Sequence, residues 1–370
     1  MSTIGLDARM IFYTGIGRNV YNLCTRLPAL DPANQYLLFI RPEDRTAMPA
    51  LASNCTIVDT ISTIYKLAEQ TEHLRILQGA GLDLLHVPHF NIPVRYQGRL
   101  VVTIHDLIQA HFPSQQGLKA QVKRLGYRTV ISQALRKADR VIAVSRYTRD
   151  DIIRTFHTAE DKIQVIYNGV DEAPPIPTVS EDAAAAVLSQ YGIAKPFLLY
   201  VGLSSPHKNL DRLIEAFSHF RRDHTEFQLV IAGKKDLRYL PSLEEKITRY
   251  GLLNKVVLTG YISDAVLQTL YQSARAFVFP SLYEGFGLPP LEALTHGLPV
   301  ASSNASSLPE VLGDAVIYFN AADTADMVHA MSDVIQQPRK KLPPQPQFSW
   351  DAISKQTIEV YRSVLSAATK

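Results

Sequence analysis

Two carboxylates in the second half of the chain, Glu284 and Glu292, enclose the glycine- and proline-rich segment Gly-Phe-Gly-Leu-Pro-Pro-Leu. Gly285 and Gly287 allow a ligand to approach the backbone closely, and the prolines mark the start of a helix whose free N–H groups attract anions. Carboxylates also accept hydrogen bonds from hydroxyl groups. The segment therefore predicts a site for a ligand with an anion and hydroxyls. The alternatives are a helix-dipole partner for Glu292 and a solvated loop charge for Glu284.

A second charged segment, Ser205-Pro-His-Lys-Asn209, follows the apolar run Phe197–Gly202. Its serine is predicted as the N-cap of a helix and Pro206 as the first helical residue, which places His207 and Lys208 in the first turn. Cations at that position oppose the helix dipole, and a bound anion would reverse the penalty. The alternative is an exposed cap whose lysine reaches water.

Apolar runs of strand length alternate with longer segments of helical period, which predicts βα units and mostly parallel sheets. The predicted strands are Thr3–Ala8, Tyr36–Ile40, Thr56–Asp59, Leu84–Val87, Leu100–His105, Val141–Val144, Ile163–Tyr167, Phe197–Gly202, Gln228–Ala232, Val256–Leu258 and Ala276–Phe279. The predicted helices are Arg18–Leu30, Ile64–Gly79, Gly117–Lys137, Tyr147–Phe156, Leu210–Arg221, Leu243–Tyr250, Ala265–Ser273 and Leu291–His296. Ligands bind beyond the carboxyl ends of parallel strands, where both charged segments lie.

A chain of 370 residues exceeds what one hydrophobic core usually organises, so we expect two domains. A polar, proline-rich stretch at 172–186 suits a surface linker between them, and a second one spans Pro338–Pro346. The last segment, Ser349–Ala367, has a helical pattern, and its residues alone leave open which domain it packs on. The predicted bounds are 1–172 for the first domain, 173–193 for the linker, 194–346 for the second domain and 347–370 for the final helix.

Composition excludes several classes of protein. A formal net charge of +3 is too small for a dedicated nucleic-acid binder, so no nucleic-acid partner is expected. Two cysteines are too few for a disulfide framework and fit a reducing compartment. No signal peptide or apolar run of spanning length is visible. We therefore expect a cytoplasmic protein, at most bound to a membrane surface.

The motifs together resemble those of family 4 retaining glycosyltransferases. Glu284–Glu292 resembles the Glu-x7-Glu signature of that family, and Ser205–Asn209 resembles its phosphate-binding turn. The likeness covers nearly the whole chain. It extends to a glycine loop at Gly15–Asn19, an acceptor-side histidine segment at Thr103–Asp106, two segments closing the first domain at Val144–Thr148 and Ile166–Asp171, and the opening of the last helix at Phe348–Asp351.

This resemblance implies an α/β protein with the GT-B fold, in which two Rossmann-like, doubly wound domains face a cleft. The second domain would hold mainly a nucleotide-sugar donor and the first domain the acceptor. The resemblance also implies that the last helix crosses back to the first domain. Attack would occur on the front face of the donor with retention of configuration, and the leaving phosphate would help to deprotonate the acceptor hydroxyl.

Residue roles are carried over position by position. The resemblance implies that Glu284 contacts hydroxyls of the transferred sugar, Glu292 the ribose, and His105 the sugar from the first domain. Backbone near Gly233 and Tyr261–Ile262 would receive the base. The implied catalytic residues are His105, Lys208 and Glu284. The implied donor-binding residues are Gly15, Gly17, Arg18, Gly202, His207, Lys208, Gly233, Tyr261, Ile262, Gly285, Phe286, Gly287, Leu288 and Glu292.

No Asp-x-Asp tripeptide, which holds a divalent metal in many transferases, occurs in the sequence, so we expect no metal and no cofactor. Positive potential would come from Lys208, His207, Arg18 and helix starts. Many family members have arginines where this chain has Leu203 and His207. Phosphate neutralisation is therefore expected to be weaker or pH-dependent, because histidine titrates near neutrality.

The donor and acceptor are less closely defined. The resemblance is to mannosyltransferases of surface-polysaccharide assembly, which implies GDP-mannose, with a UDP-glucose-type hexosyltransferase as the alternative. The acceptor would be a saccharide or a lipid-linked saccharide. A non-catalytic sugar-nucleotide-binding protein of the same fold is a further alternative. A dinucleotide-dependent dehydrogenase is excluded because the third glycine of its fingerprint would fall at Val20.

A basic stretch lies between Lys119 and Arg140 and is interleaved with apolar residues. One interpretation is a basic amphipathic helix that binds anionic lipid, or a lipid-diphosphate acceptor, at the cytoplasmic face of the inner membrane. The other is an ordinary helix packed on the sheet with a solvated basic face. The residues do not decide between the two.

Overall fold

A computed structural model describes residues 1–64, 66, 68–112, 118–170, 180–341 and 345–367. The chain divides into two compact units. Unit 1 consists of Met1–Val170 together with Gln345–Lys370, and unit 2 consists of Asp171–Pro344.

Unit 1 is built on a parallel sheet of seven strands in the order β3-β2-β1-β4-β5-β6-β7. The strands are β1 (Thr3–Asp7), β2 (Gln35–Ile40), β3 (Cys55–Asp59), β4 (Leu84–Val87), β5 (Leu100–Ile104), β6 (Arg140–Ala143) and β7 (Ile163–Val165). All residues of β4 and β5 are buried, as expected for central strands covered on both faces. The first five helices are α1 (Thr14–Leu30), α2 (Leu74–Gly79), α3 (Ile108–His111), α4 (Leu118–Lys137) and α5 (Arg146–Phe156).

Unit 2 has a parallel sheet of six strands in the order β10-β9-β8-β11-β12-β13. The strands are β8 (Phe197–Val201), β9 (Gln228–Ala232), β10 (Val256–Gly260), β11 (Ala276–Phe279), β12 (Val300–Ser303) and β13 (Ile317–Phe319). The helices are α6 (Glu181–Gln190), α7 (Leu210–Phe220), α8 (Leu240–Arg249), α9 (Asp264–Ser273), α10 (Leu288–Thr295), α11 (Leu308–Leu312) and α12 (Thr324–Val334). Helix α7 buries Leu210, Leu213, Ile214 and Phe217, the helical spacing that places one apolar face on the sheet.

The last helix, α13 (Trp350–Ser366), packs on unit 1 against α1 and β4. Ser349 caps it by accepting a hydrogen bond from the Ala352 N–H. The hydroxyl of Tyr361 lies 2.6 Å from Nδ1 of buried His86 on β4. The prediction that the final helix returns to the first Rossmann-like domain is therefore confirmed, as is the two-domain α/β fold class.

Several elements differ from the sequence prediction. Residues 181–190 of the predicted linker form helix α6, which Ser180 caps through the Ala183 N–H, while residues 171–179 lie outside the described part. The predicted helix 64–79 is a π-helical turn at Glu69–His73 followed by α2, and residues 65 and 67 are not described. Residue 117 of the predicted helix 117–137 is also outside the described residues. Strands β12 and β13 and helices α11 and α12 were not predicted.

Candidate active site

The carboxyl ends of two neighbouring strands in unit 2 bring the two charged segments together. Strands β8 and β11 pair in parallel, and Lys208 follows the first of them while Glu284 follows the second. The Lys208 Nζ donates a hydrogen bond to Glu284 Oε1 at 2.5 Å. The two side chains are only 13% and 9% exposed. Lys208 and Glu284 therefore form a largely buried ion pair at the sheet edge.

The backbone of the Lys208 turn differs from the prediction. Pro206–Lys208 forms a 3-10 turn, Asn209 is left-handed with φ of 58°, and α7 begins only at Leu210. The hydroxyl of Ser205 makes no capping hydrogen bond. The predicted side-chain cap by Ser205 is therefore absent, whereas His207 and Lys208 do lie in a helical turn that starts at Pro206, a 3-10 turn that precedes α7. Asparagine tolerates the left-handed conformation, which lets the chain turn before the helix starts.

Hydrogen bonds tie this turn to the Glu284 loop. The Leu282 N–H donates to the carbonyl of His207 at 2.7 Å. The Asn209 side-chain amide donates to the carbonyl of Pro280 at 3.1 Å and to that of Ala321 at 2.8 Å. The positions of Lys208 and Glu284 are thus fixed relative to each other by the backbone as well as by their charges.

The Glu284 loop is itself held from the other side by two serines. The Glu284 N–H donates to Ser306 Oγ at 2.8 Å, and its carbonyl accepts from Ser307 Oγ at 3.0 Å. Ser307 Oγ also donates to the carbonyl of Phe286 at 3.2 Å. Sequence reasoning did not identify these serines, although the serine-rich run 302–307 was a visible signal.

Helix α10 begins directly after this loop. Gly287 has φ of 96°, and a Cβ there would lie 2.6 Å from Leu308 Cδ2, so the position requires glycine. Gly285, Phe286 and Gly287 are buried, and Leu288 is the first helical residue. The first backbone N–H groups of a helix lack intrahelical partners, and because the second and third residues of α10 are prolines without an N–H, Gly287 and Leu288 supply the donors that this end offers an anion.

Glu292 lies in the second turn of α10. Its Oε2 accepts a hydrogen bond of 3.1 Å from the Tyr271 hydroxyl on α9. The two carboxylates of the motif are therefore held by different partners, Glu284 by a cation and Glu292 by a phenol.

Glycines lie at the carboxyl ends of β8, β9 and β10, on the same sheet edge. Gly202 follows β8 and donates its N–H to Ala232 O at 2.9 Å, and Gly233 follows β9 and donates to Gly260 O at 3.1 Å. Gly233 has φ of 140°, and a Cβ on it would lie 2.1 Å from the Gly202 carbonyl oxygen. The backbones of adjacent strand ends therefore meet at a distance that excludes any side chain.

Tyr261 and Ile262 follow Gly260 on this edge, and the ring of Tyr261 is 80% exposed. Lys235 follows β9 and was not among the predicted site residues. Its Cε lies 3.7 Å from the position that a Cβ on Gly260 would occupy. The predicted base-binding positions and an additional cation thus share the edge that carries Lys208.

The imidazole of His207 does not titrate near neutrality, contrary to the expectation from sequence. Burial, and after it the adjacent Lys208 ammonium, lower its pKa to about 4. His207 is therefore neutral at pH 7 and supplies no positive charge to replace a missing arginine. The Lys208 Nζ lies 5.5 Å from the centre of the Phe279 ring, a further favourable contact for the ammonium.

In unit 1, His105 directly follows β5. Its Nε2 lies 3.0 Å from the carbonyl oxygen of Pro88, and because a carbonyl only accepts, Nε2 carries the proton. Burial lowers the pKa of His105 to about 4, although the bond to Pro88 opposes that shift. The ring is therefore neutral at pH 7, with Nδ1 as its acceptor atom.

The predicted glycine loop of unit 1 is helical. Gly15, Gly17 and Arg18 lie in the first turns of α1, which begins at Thr14 rather than at Arg18. A Cβ on Gly17 would lie 2.6 Å from the carbonyl oxygen of Ile11, so the preceding chain passes against the helix at this point. Gly17 therefore lies inside a helix, and its lack of a side chain allows this close packing.

A buried ionic cluster at the end of β1 was missed by sequence reasoning. The Arg9 guanidinium, only 1% exposed, donates to Asp7 at 2.7 Å and to Glu69 at 2.6 Å. Burial raises the pKa of Asp7, but Arg9 and then His73 outweigh it and hold the pKa far below its usual range. The Asp-Ala-Arg order at positions 7–9 was the available signal.

Within the described residues, no group of three or more His, Cys, Asp or Glu side chains is arranged to hold a metal ion. No helix among them has the length and apolar character needed to cross a bilayer.

The architecture matches that of a solved enzyme. A sucrose-phosphate synthase from Thermosynechococcus elongatus aligns over 100% of both chains with a TM-score of 0.77 and 21% sequence identity. The two Rossmann-like units therefore have the GT-B fold.

The chain belongs to glycosyltransferase family 4. The model Glycosyltransferase Family 4 matches residues 13–173, and that of Glycosyl transferases group 1 matches residues 190–345. The chain is 32% identical over 295 residues to O-antigen chain mannosyltransferase B of Escherichia coli, covering 75% of this chain and 74% of that protein. It is 30% identical over 241 residues to the serotype-specific mannosyltransferase WbdA of Escherichia coli, covering 63% of this chain but 30% of WbdA.

Proposed function

We propose that this glycosyltransferase is a retaining mannosyltransferase that moves mannose from GDP-mannose to a saccharide or lipid-linked saccharide, without a metal. The observation that carries the catalytic proposal is the Lys208–Glu284 pair at a glycine-lined sheet edge. The choice of mannose is supported by the two relatives of about 30% identity, both of which are mannosyltransferases.

The donor is proposed to lie along the carboxyl edge of the second sheet. Lys208 and the first N–H groups of α10 would bind the diphosphate, Glu284 the sugar hydroxyls and Glu292 the ribose. Backbone at Gly233 and the Tyr261–Ile262 segment would hold the base. For the base, the diphosphate and the sugar this order follows the strands, since β10, β9, β8 and β11 are successive neighbours.

The reaction breaks the bond between the anomeric carbon and the phosphate oxygen and forms one to the acceptor oxygen on the same face. The acceptor proton passes to the leaving phosphate, so no protein base is required. Lys208 stabilises the charge that develops on the diphosphate. His105, neutral and with an acceptor at Nδ1, is suited to receive a hydrogen bond from a sugar hydroxyl.

Transfer should continue in excess chelator, because the charge of Lys208 and the start of α10 perform the task that a divalent ion performs elsewhere. Loss of transfer in EDTA that magnesium or manganese restores would contradict this part of the proposal.

The donor is tested by a thermal-shift screen against GDP-mannose, UDP-glucose and ADP-glucose, because a ligand that binds only the native state raises its melting temperature. We expect the largest shift with GDP-mannose. A larger shift with UDP-glucose would favour the alternative hexosyltransferase. NMR of the product gives the anomeric configuration, and an inverted product would refute retention. Binding without transfer to any saccharide acceptor would favour a non-catalytic protein.

We also propose that the first half of α4 contacts an anionic membrane. Val122 and Leu125 are 67% and 68% exposed there, beside the exposed Arg124, whereas Tyr127 and Ile131 further along the helix are buried. Apolar side chains at the surface next to cations suit the headgroup region of acidic lipid.

Flotation with vesicles of phosphatidylglycerol tests this contact. The double variant Val122→Ser/Leu125→Ser should bind less than the native chain, while Leu253→Ser, which removes an exposed leucine from unit 2, should not change binding. Equal flotation with neutral phosphatidylcholine, or none with either lipid, would reject the proposal.

A further inference from the structure

The cation expected to bind the diphosphate already has an anionic partner. The Lys208 ammonium lies 2.5 Å from the Glu284 carboxylate, and both side chains are largely withdrawn from water. A phosphate that approaches Lys208 while this pair is closed meets the negative charge of Glu284 as well. The charge of the lysine becomes fully available only when the pair opens.

Opening the pair is a side-chain event, because both backbones are fixed. The Lys208 N–H donates to Ser205 O at 2.9 Å on one side. On the other side, Ser306 and Ser307 hold the N–H and the carbonyl of Glu284. In the closed pair the ammonium also lies 5.5 Å from the centre of the Phe279 ring. The carboxylate needs new hydrogen-bond donors, because a buried charge without a partner is strongly unfavourable.

A nucleotide sugar supplies new partners for both side chains, since its phosphate can bind the Lys208 ammonium and its sugar hydroxyls can donate hydrogen bonds to the Glu284 carboxylate. A nucleoside diphosphate without the sugar supplies only the first. We infer that Glu284 acts as an internal competitor for Lys208 and thereby favours the sugar-bearing donor over the nucleoside diphosphate product. This inference rests on the proposed function and adds discrimination against the product to the role of Glu284.

The test compares the affinities of the native chain and of Glu284→Gln for GDP and GDP-mannose, by calorimetry. The variant removes the competing charge and keeps the shape of the side chain. We expect GDP to bind about tenfold more tightly to the variant, the size of one charge-assisted interaction. GDP-mannose should gain less, because the variant also loses the carboxylate that receives the sugar hydroxyls.

Two further variants isolate the cause. Asp211→Asn removes a negative charge three residues after Lys208, on an exposed side chain paired with Lys246, and should leave GDP affinity unchanged if the effect is not general electrostatics. In a Lys208→Ala background, Glu284→Gln should no longer improve GDP binding. Circular dichroism and thermal melting establish that each variant is folded, and Glu284→Ala replaces Glu284→Gln if that chain does not fold.

Equal or weaker binding of GDP to Glu284→Gln, with a native chain that binds both ligands, would overturn this inference and leave the proposed function standing. The same gain in Asp211→Asn, or in the Lys208→Ala background, would also overturn it. A native chain that binds UDP and UDP-glucose instead would refute GDP-mannose as the donor, and a failure of Glu284→Gln to bind UDP more tightly would then overturn this inference. A native chain that binds no nucleotide or nucleotide sugar would refute the proposed function itself.

Discussion

Replacing Lys208 by methionine separates the structural role of the ion pair from its chemical role. Methionine keeps an apolar stem beside Phe279 but leaves Glu284, 9% exposed, without its cation. Leaving one member of a buried pair uncompensated costs about 3 kcal/mol of unfolding free energy. The double variant Lys208→Met/Glu284→Gln removes the orphaned charge and should recover most of that loss. Urea unfolding of the three chains measures both quantities.

Transfer activity should behave differently from stability. Loss of one preorganised cation at the developing charge lowers turnover by about 100- to 1000-fold. The double variant should remain as inactive as Lys208→Met while its stability returns, because the diphosphate has still lost its cation. Activity that recovers together with stability would mean that the lysine is structural. A single variant as stable as the double variant would mean that the unpaired Glu284 charge carries no penalty.

Three other predictions concern the scaffold. Gly233→Ala should lower the free energy of unfolding by about 3 kcal/mol or more in urea unfolding, since its Cβ would lie 2.1 Å from the Gly202 carbonyl oxygen. Burial lowers the pKa of His86 and of His89 to about 3, so between pH 6.5 and 4 only the unfolded chain binds these two protons. The free energy of unfolding should therefore fall by about 2 kcal/mol for each histidine between pH 7.5 and pH 5, measured by urea unfolding at both pH values. Tyr361→Phe should destabilise the chain by about 1–3 kcal/mol in thermal unfolding, because buried His86 loses its partner on α13.

Each of these predictions has a control or a contradicting result. Gly192 also has a positive φ, 68°, but a Cβ there would meet nothing within 4 Å. Gly192→Ala should therefore lower the free energy of unfolding less than Gly233→Ala, because it adds backbone strain alone. A stability equal at pH 7.5 and pH 5 would contradict the histidine argument. A Tyr361→Phe chain as stable as the native one would mean that the hydroxyl contributes no net stabilisation to the docking of α13.

The sequence predicted the place of the Lys208–Glu284 pair but not its geometry. Apolar runs located the ends of β8 and β11, and the rule for parallel sheets placed both charged segments at one edge. Nothing in the local pattern specifies that these two strands are neighbours, with β9 and β10 on the far side of β8. That order depends on packing between elements distant along the chain.

Other features could not be predicted from the sequence because they depend on tertiary contacts and burial. The turn Pro206–Lys208 is separate from α7 because Asn209 adopts a left-handed conformation that tertiary hydrogen bonds to Pro280 and Ala321 stabilise. Strand β12 reads Val-Ala-Ser-Ser, small residues with little strand character, and is buried because it lies between β11 and β13, where Ser303 Oγ donates to the carbonyl of Ser281 at 2.5 Å. The low pKa of His207 arises from burial, which one sequence does not reveal.

The family resemblance implies arginines at the positions that Leu203 and His207 occupy in this chain. His207 is neutral at pH 7, so it does not restore the charge. Lys235 follows β9 and lies beside Gly260 at the end of β10, at the end of the edge where the base is proposed to bind. The strand-end N–H groups of Gly202 and Gly233 already donate to backbone carbonyls and add no charge compensation there. Lys208 is therefore the side chain on which the proposed compensation of the diphosphate depends.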